Sequence, residues 1–538
     1  LVEPKKEPVV FLRESTGLVK SVSLLDSLSL NISNMSAGAA LGTIGLTVVL
    51  LTSQQINGIN LAVGAVIAFV LSIPQIVVYT QMTRRLPRTG GDYVWVSRTY
   101  GGMFGGPLAF MGYTLETLAF LALIVVSLVF AIGAVGLFFI TPSSSNFNFF
   151  LGLNLPSSIG GNATDQFLLG ILIFGLLILL NIVRPKAGYK LVSGLTIFSV
   201  SVTIIAIFTL LGYGHQGVVN YMNNVILPAQ NGNLSYSYSG IANSYTGTSF
   251  NFSNTLFMLP FFAIFVFPWL NAAPAVASEM KGKSTIRWNV PISALVVFVL
   301  VASAFGAMYY VGGINFTNAA LNNGILVFNY SFNFWTLAMG VSGNSTLAFI
   351  IGLGWIAWNL SILAYGIIVF SRYLFAQAFD RFLPTRLAYI SPKFGSPLIA
   401  HAVDLVITIG LVAVAAFTFG TFQSLYAAAI AAMIYFFFVG IAAAIYGTRK
   451  ESGNSRLTLQ IAGGLMAVVF LFIIYQFLSN PGIWGTSASI GSVPGYYYAY
   501  AYVAASFVAG LVIFLASKSY HNRKGIDITL AYKEIPPE

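Results

Sequence analysis

Few side chains in this 538-residue chain can do chemistry, and most of them interrupt stretches that are otherwise apolar. Near the start, residues 30–45 read LNISNMSAGAALGTIG, which crowds Asn31, Ser33, Asn34, Ser36 and Gly38 into one run. Residues 257–283 read FMLPFFAIFVFPWLNAAPAVASEMKGK. They are apolar and aromatic up to Phe267, break at Pro268-Trp269-Leu270-Asn271, meet Pro274, and leave through Glu279, Lys281 and Lys283. A proline has no N–H to give, so it frees carbonyls, and bare carbonyls survive in hydrocarbon only where they line a cavity. Amides, hydroxyls and freed carbonyls are groups for coordinating a small polar ligand. No nucleophile–base pair accompanies them, so an enzyme is not expected.

Glu116 is the sharpest single residue. It falls about twelve residues into a long apolar run, about 18 Å deep at ~1.5 Å per residue and near the middle of a bilayer. A carboxyl there is costly to charge, which makes it a candidate proton carrier or cation partner. The structural alternative is an acid kept protonated and bonded to a neighbouring carbonyl. His401 and Asp404, three residues apart, are expected to satisfy each other. The three histidines, His215, His401 and His521, are too scattered for a metal site, and no cysteine is present. No metal or cofactor is expected, and no G-x-x-x-x-G-K-[ST] run suggests ATP-driven work.

These residues need a membrane fold to position them. The chain is 57% hydrophobic and 7% charged, against roughly 25% charged in a soluble domain. Spans of about 20 residues each predict about twelve transmembrane helices, at 24–50, 57–82, 104–140, 167–183, 189–212, 255–279, 289–312, 347–376, 397–419, 422–447, 456–479 and 498–517. The net charge of +11 does not point to nucleic acid, because all 25 Lys and Arg lie at the termini or in alternate loops. That asymmetry predicts both termini in the cytoplasm of a multi-pass cell-membrane protein. The first 23 residues are charged and lack the apolar core of a signal peptide.

The interrupted helices are the first and the sixth. A spacing of five predicts two inverted five-helix repeats with two helices appended, an all-α integral membrane protein. The expected divisions are a lead-in at 1–23, a first repeat at 24–213, an outer loop at 214–254, a second repeat at 255–447, helices 11 and 12 at 448–517, and a tail at 518–538. The outer loops 141–166, 213–254 and 313–346 carry glycosylation sequons at Asn162, Asn233, Asn251, Asn315, Asn329 and Asn344. They hold almost no acid beyond Asp165, which suits a strongly acidic exterior such as surrounds an archaeal acidophile.

Two inner-loop motifs carry a family resemblance. Pro87, Gly90, Gly91, Tyr93 and Trp95 match a P-x-x-G-G-x-Y-x-[YW] run, and SRYLFAQAFDRFLP at 371–384 matches S-R-x-x-[YF]-A-x-A-x-D-x-x-L-P. With Asn181, Gly188 and Lys190 as a weaker third match, the chain resembles the amino acid–polyamine–organocation transporter superfamily over helices 1 to 10. The family's G-x-G at the first break is Ala37-Gly38-Ala39 here.

The resemblance implies alternating access around a midplane site. Ser33, Asn34, Ser36, Ala37 and Gly38 would hold the polar end of a substrate. The segment of Phe265, Val266, Phe267, Trp269 and Asn271 would offer carbonyls to an ammonium group, with Phe265 or Trp269 as a lid. Ser199, Thr203 and Ser361 are the candidate sodium ligands. Asp26 and Glu279 are expected to pair with basic loops, and Arg372 with Asp380 to form an inner gate or packing pair. The expected function is import of an amino acid or small amine by proton-coupled symport. An exchanger, a sodium symporter, or a non-transporting membrane sensor or structural glycoprotein of the same fold remain alternatives.

Overall fold

The first expected span begins at a capping box and stops after three turns. In a computed structural model, which describes residues 20–140, 163–327, 330–417, 429–484, 489–490 and 492–535, helix α1 covers Leu24–Asn34. Ser23 Oγ accepts from the Asp26 N–H at 3.2 Å and Asp26 Oδ2 accepts from the Ser23 N–H at 3.0 Å, closing the donors that a helix start leaves open. The chain then turns through Ser36 at φ 29°, a conformation that costs a non-glycine residue of order 1–3 kcal/mol. Helix resumes as α2, Ala37–Val48.

Ten helices are long and apolar enough to cross a membrane, by length and composition. They match every expected span except the first and sixth. In chain order with the shorter elements between them, α3 is Leu61–Arg85, α4 the short Asp92–Tyr100, α5 Gly102–Gly136, α6 Ala163–Val183 and α7 Pro185–Tyr221. The sixth span is again in pieces, α8 at Phe252–Phe265 and α9 at Ala272–Ala275. There follow α10 (Gly282–Gly312), α11 (Ile314–Asn322), α12 (Phe334–Val341), α13 (Ser345–Phe379), α14 (Leu398–Phe417), α15 (Ala429–Lys450), α16 (Gly453–Ser479) and α17 (Gly495–Asn522). Strand structure among the described residues is limited to two short antiparallel pairs. The chain is an all-α membrane protein.

Burial separates core from periphery. α5 and α13 are the most enclosed spans, while α17 and α6 turn large apolar side chains outward. Leu172, Leu176 and Leu179 on α6, Phe208 on α7 and Val508 and Val512 on α17 are all more than half exposed. Such patches would be an aggregation liability in water and are what a helix shows to lipid. α15 and α16 approach so closely that a Cβ on Gly440 would sit 2.8 Å from the Gly463 carbonyl oxygen. This small-residue contact lets two backbones meet where no hydrophobic force pushes helices together.

The packing brings the two broken helices together. α1 packs on α10, α7 and α13, and the inner part of α8 packs on α2, α3 and α16. At one end of the bundle, Val22 pairs with Met280 and Thr89 with Val276 as isolated β-bridges, and the Gly90 N–H donates to the Ala275 carbonyl at 2.9 Å. Gly90 at φ 87° and Gly91 at φ 48° turn the α3–α4 loop under α9, a path open to glycine and strained for other residues. At the other end Asn322 on α11 donates to the Val48 and Leu51 carbonyls at 3.1 and 3.0 Å.

Candidate substrate and coupling site

Helix α2 starts without a side-chain cap. Its first bonded amide is Ala40, which donates to the Ser36 carbonyl at 3.0 Å, so the N–H groups of Ala37, Gly38 and Ala39 have no acceptor among the described residues. Three free amides at a helix start, with the positive end of the helix dipole behind them, are the groups that an anion would need here. Gly38 is required here because a Cβ would run into the Trp358 indole of α13. Trp335 on α12 donates to the Gly38 carbonyl at 2.9 Å.

The second break lies opposite. After α8 the backbone leaves helix at Val266 (φ −124°, ψ −77°), and Val266 and Phe267 both turn their N–H to the Phe262 carbonyl, at 2.8 and 3.1 Å. The carbonyls of Val266 and Phe267 receive no donor among the described residues. Trp269 folds back so that its indole N–H donates to the Ile264 carbonyl at 2.8 Å and the Ala263 carbonyl at 3.1 Å. Gln75 on α3 takes the Pro268 carbonyl at 2.7 Å. Part of what the proline frees is therefore answered by the protein's own side chains. Trp269 stacks on Phe120 and meets Phe436 edge-on, giving the break an aromatic wall.

Two asparagines tie the breaks together. Asn34 Nδ2 donates to Asn271 Oδ1 at 2.8 Å, and Asn31 Oδ1 accepts from the Ala273 N–H at 2.9 Å. Tyr365 on α13 donates to Asn34 Oδ1. Ser33, Asn34, Ser36, Val266, Phe267, Trp269 and Asn271 are all buried. An amide buried without partners loses about 1–3 kcal/mol, so these bonds fix where each break stands.

Glu116 follows a π-helical turn at Phe110–Leu115 inside α5 and is 2% exposed. One wide turn in a helix swings the next residue off the register that the run before it sets. No donor is aimed at the Glu116 carboxyl among the described residues. It lies within electrostatic range of Tyr365 and Tyr502, and through Tyr365 it reaches Asn34.

The chain from residue 23 to 505 matches the family model described as "Amino acid permease". The chain belongs to the amino acid permease family. A 269-residue stretch is also 25% identical to "Uncharacterized protein 399" of Sulfolobus islandicus rod-shaped virus 1, spanning 50% of this chain and 51% of the viral one. The chain thus covers about half of that relative's length. Family membership and the multi-span helical fold support a transporter.

The permease's hydroxyl cluster differs from the expected one. Ser361 on α13 donates to Ser33 at 2.8 Å, and Ser33 meets Thr196 on α7 at 2.8 Å. Thr203 instead accepts from the Trp358 indole at 2.9 Å and donates to the Ser199 carbonyl at 2.7 Å, while Ser199 Oγ is buried without a partner. Thr196 was legible in principle, because it precedes Ser199 by three residues and Thr203 by seven on one helical face. Tyr365 likewise follows Ser361 by four.

The expected gate residues all sit at the end of the bundle where the lead-in meets α9, with partners other than those expected. Arg372 and Asp380 do not pair with each other. Arg372 forms a buried fork with Glu279, Nε to Oε1 at 2.9 Å and Nη2 to Oε2 at 3.1 Å, and Tyr189 donates to Glu279 at 3.1 Å. Asp380 caps α13 and takes Arg98 of α4, Nη2 to Oδ1 at 2.8 Å, with Tyr93 OH donating at 2.9 Å. Eight residues along a helix put Arg372 and Asp380 more than two turns apart, so each finds a cross-helix partner. Asp26 accepts from Ser193 at 2.8 Å and closes its own capping box, so Ser193 stands where a basic loop was expected.

Asp404 accepts from Thr408 at 3.1 Å, and His401 Nδ1 is buried without a partner. The expected bond between His401 and Asp404 does not form, and Asp404 Oδ2 is likewise buried without a partner. Of the sequons, Asn233, Asn315 and Asn344 are exposed, Asn251 is half-buried and caps a helix, and Asn162 and Asn329 lie outside the described residues.

Proposed function

We propose that this permease carries an amino acid or similar small amine across the membrane by alternating access, coupled to protons through Glu116. The observation that carries the reading is the pairing of the two breaks. Free α2 amides suit a carboxylate, and the open Val266 and Phe267 carbonyls suit an ammonium group. The same small region offers a place for each end of a zwitterion. In this reading Ser33, Asn34, Ser36, Ala37, Gly38, Phe265 and Asn271 complete the site, with the Phe120–Trp269–Phe436 wall against the substrate side chain. Breaks at the first and sixth spans fit two inverted five-helix repeats with two appended helices. The basic loops fit cytoplasmic termini, so that the Glu279–Arg372 fork is the inner gate and the α11–α12 end faces outward.

Proton coupling rests on the geometry around Glu116, a carboxyl with no donor aimed at it among the described residues, beside the Tyr365–Asn34 link. A proton arriving from outside would neutralise it, and substrate binding at Asn34 would be felt through Tyr365. The Ser33–Thr196–Ser361 cluster supports a second reading, in which hydroxyls and α1 carbonyls bind sodium.

Uptake of pooled labelled amino acids into proteoliposomes, with an inward proton gradient and no sodium, separates these readings. Concentrative uptake abolished by a protonophore is the expected result. In Glu116→Gln, gradient-driven accumulation should fall at least tenfold while exchange of internal for external substrate persists. Uptake that needs sodium would transfer coupling to the hydroxyl cluster. No uptake or exchange under any of these conditions would overturn the transport reading.

A further inference from the structure

Away from the broken helices, one cavity gathers charge. It has a volume of about 940 Å³ and lies among α4, the ends of α15 and α17, and the tail segment Ile528–Tyr532. Arg449, Lys450, Lys518 and Lys533 line it, and none of them makes an ion pair among the described residues. Two carboxylates that no arginine holds are near: Glu534 in the wall, and Asp527, which acts on Lys518 and Lys533 while its own carboxylate accepts from Thr529; a third, Glu451, acts on Tyr446 of the wall but is held by Arg85. Arg98 in the floor is already matched by Asp380 and covered by the Tyr532 ring. Four cations facing two carboxylates across one concavity leave an excess of positive charge that a bound anion would neutralise.

The rim indicates the kind of anion. Met103 and Leu515 line the cavity and are 61% and 47% exposed. From Leu515 an exposed apolar stripe runs along α17 through Val512 and Val508. A phosphate from solution would use the cations and leave that stripe bare. A headgroup with acyl chains would use both, and the ends of spans α15 and α17 are where headgroups lie.

We propose that this cavity binds the phosphate headgroup of an anionic membrane lipid, with its chains leaving over Leu515 along α17. Such a lipid would bridge α15, α17 and the tail next to the Arg98–Asp380 pair. The proposal needs the membrane fold only and is independent of what the permease carries.

The test uses full-length protein in neutral detergent, with lipid binding read by native mass spectrometry and by melting temperature. Phosphatidylglycerol should bind at one tight site and raise the melting temperature, and phosphatidylcholine should do neither. The triple variant Arg449→Gln, Lys450→Gln, Lys518→Gln should bind phosphatidylglycerol at least tenfold more weakly while melting like the parent without lipid. Arg386→Gln, which removes an exposed charge that does not line the cavity, should bind normally. Equal phosphatidylglycerol binding by the triple variant and the parent would overturn the proposal. So would a loss in Arg386→Gln as large as in the triple variant. Inorganic phosphate giving the full stabilisation would also overturn it, by making this a site for a soluble anion.

Discussion

Asn34 does more than any other side chain to join the two breaks, donating to Asn271 while accepting from Tyr365. In Asn34→Ala both partners lose a bond inside the protein, at about 1–3 kcal/mol per stranded group. The expected outcome is a half-saturating substrate concentration raised roughly tenfold, which corresponds to ~1.4 kcal/mol, with the melting temperature lowered by only a few degrees. Transport kinetics and a thermal melt on the same sample check both halves. Asn34 was legible from the sequence because a primary amide in a membrane helix must have a use. Its partners were less so. Tyr365 is one of 27 tyrosines in the chain, and nothing local to it shows which hydroxyl will face the first break. Trp269 was legible as an aromatic at a break, but its bond to two carbonyls of its own helix depends on a backbone turn that composition does not encode.

The element most exposed to pH is the loop that carries α4 under α9. Asp92, the first residue of α4, is fully buried and accepts from Tyr79. Burial pushes its carboxyl up to about 7, against the hydrogen bond from Tyr79, which pulls the other way. A group whose folded pKa is raised holds extra protons in the folded state. Its contribution is therefore complete below about pH 4 and is lost as pH rises through about 7. The packing of this loop should loosen over that interval, with a melting temperature that falls from mildly acid to neutral pH. In Asp92→Asn that slope should flatten, and a melt series across pH measures it. A slope unchanged in Asp92→Asn would mean that other groups set it. The glycines of this loop and its tyrosine were legible as a motif. Asp92 itself was not singled out, because a charged residue at a helix start reads as an ordinary solvated cap until packing shows it enclosed. Helix α5 gave a similar lesson. Its length and hydropathy were plain, but the π-turn that sets the facing of Glu116 left no mark in the pattern.

At the level of the whole molecule, span positions followed from hydropathy, because lipid forces every backbone group to be satisfied inside a helix. Which span meets which was not readable in the same way, since an apolar helix has no polar side to point inward. The pairings of Arg372 with Glu279 and Asp380 with Arg98 are products of that unseen packing.

The Trp269 indole, bonded to Ala263 and Ile264, has a consequence for how the cycle turns over. A carrier that strands bare polar groups whenever it shuts without cargo can recross only when loaded, and it swaps one molecule for another. In the proposed cycle, part of the exposed backbone is answered from within, which would let the unloaded carrier shut and reset without a return passenger. That favours net flux over one-for-one swapping. In Trp269→Phe the aromatic wall survives while the internal donor is gone. Net uptake from a single loading should then slow several-fold, while swapping of internal for external substrate keeps its rate, and paired flux assays on one preparation would show the split.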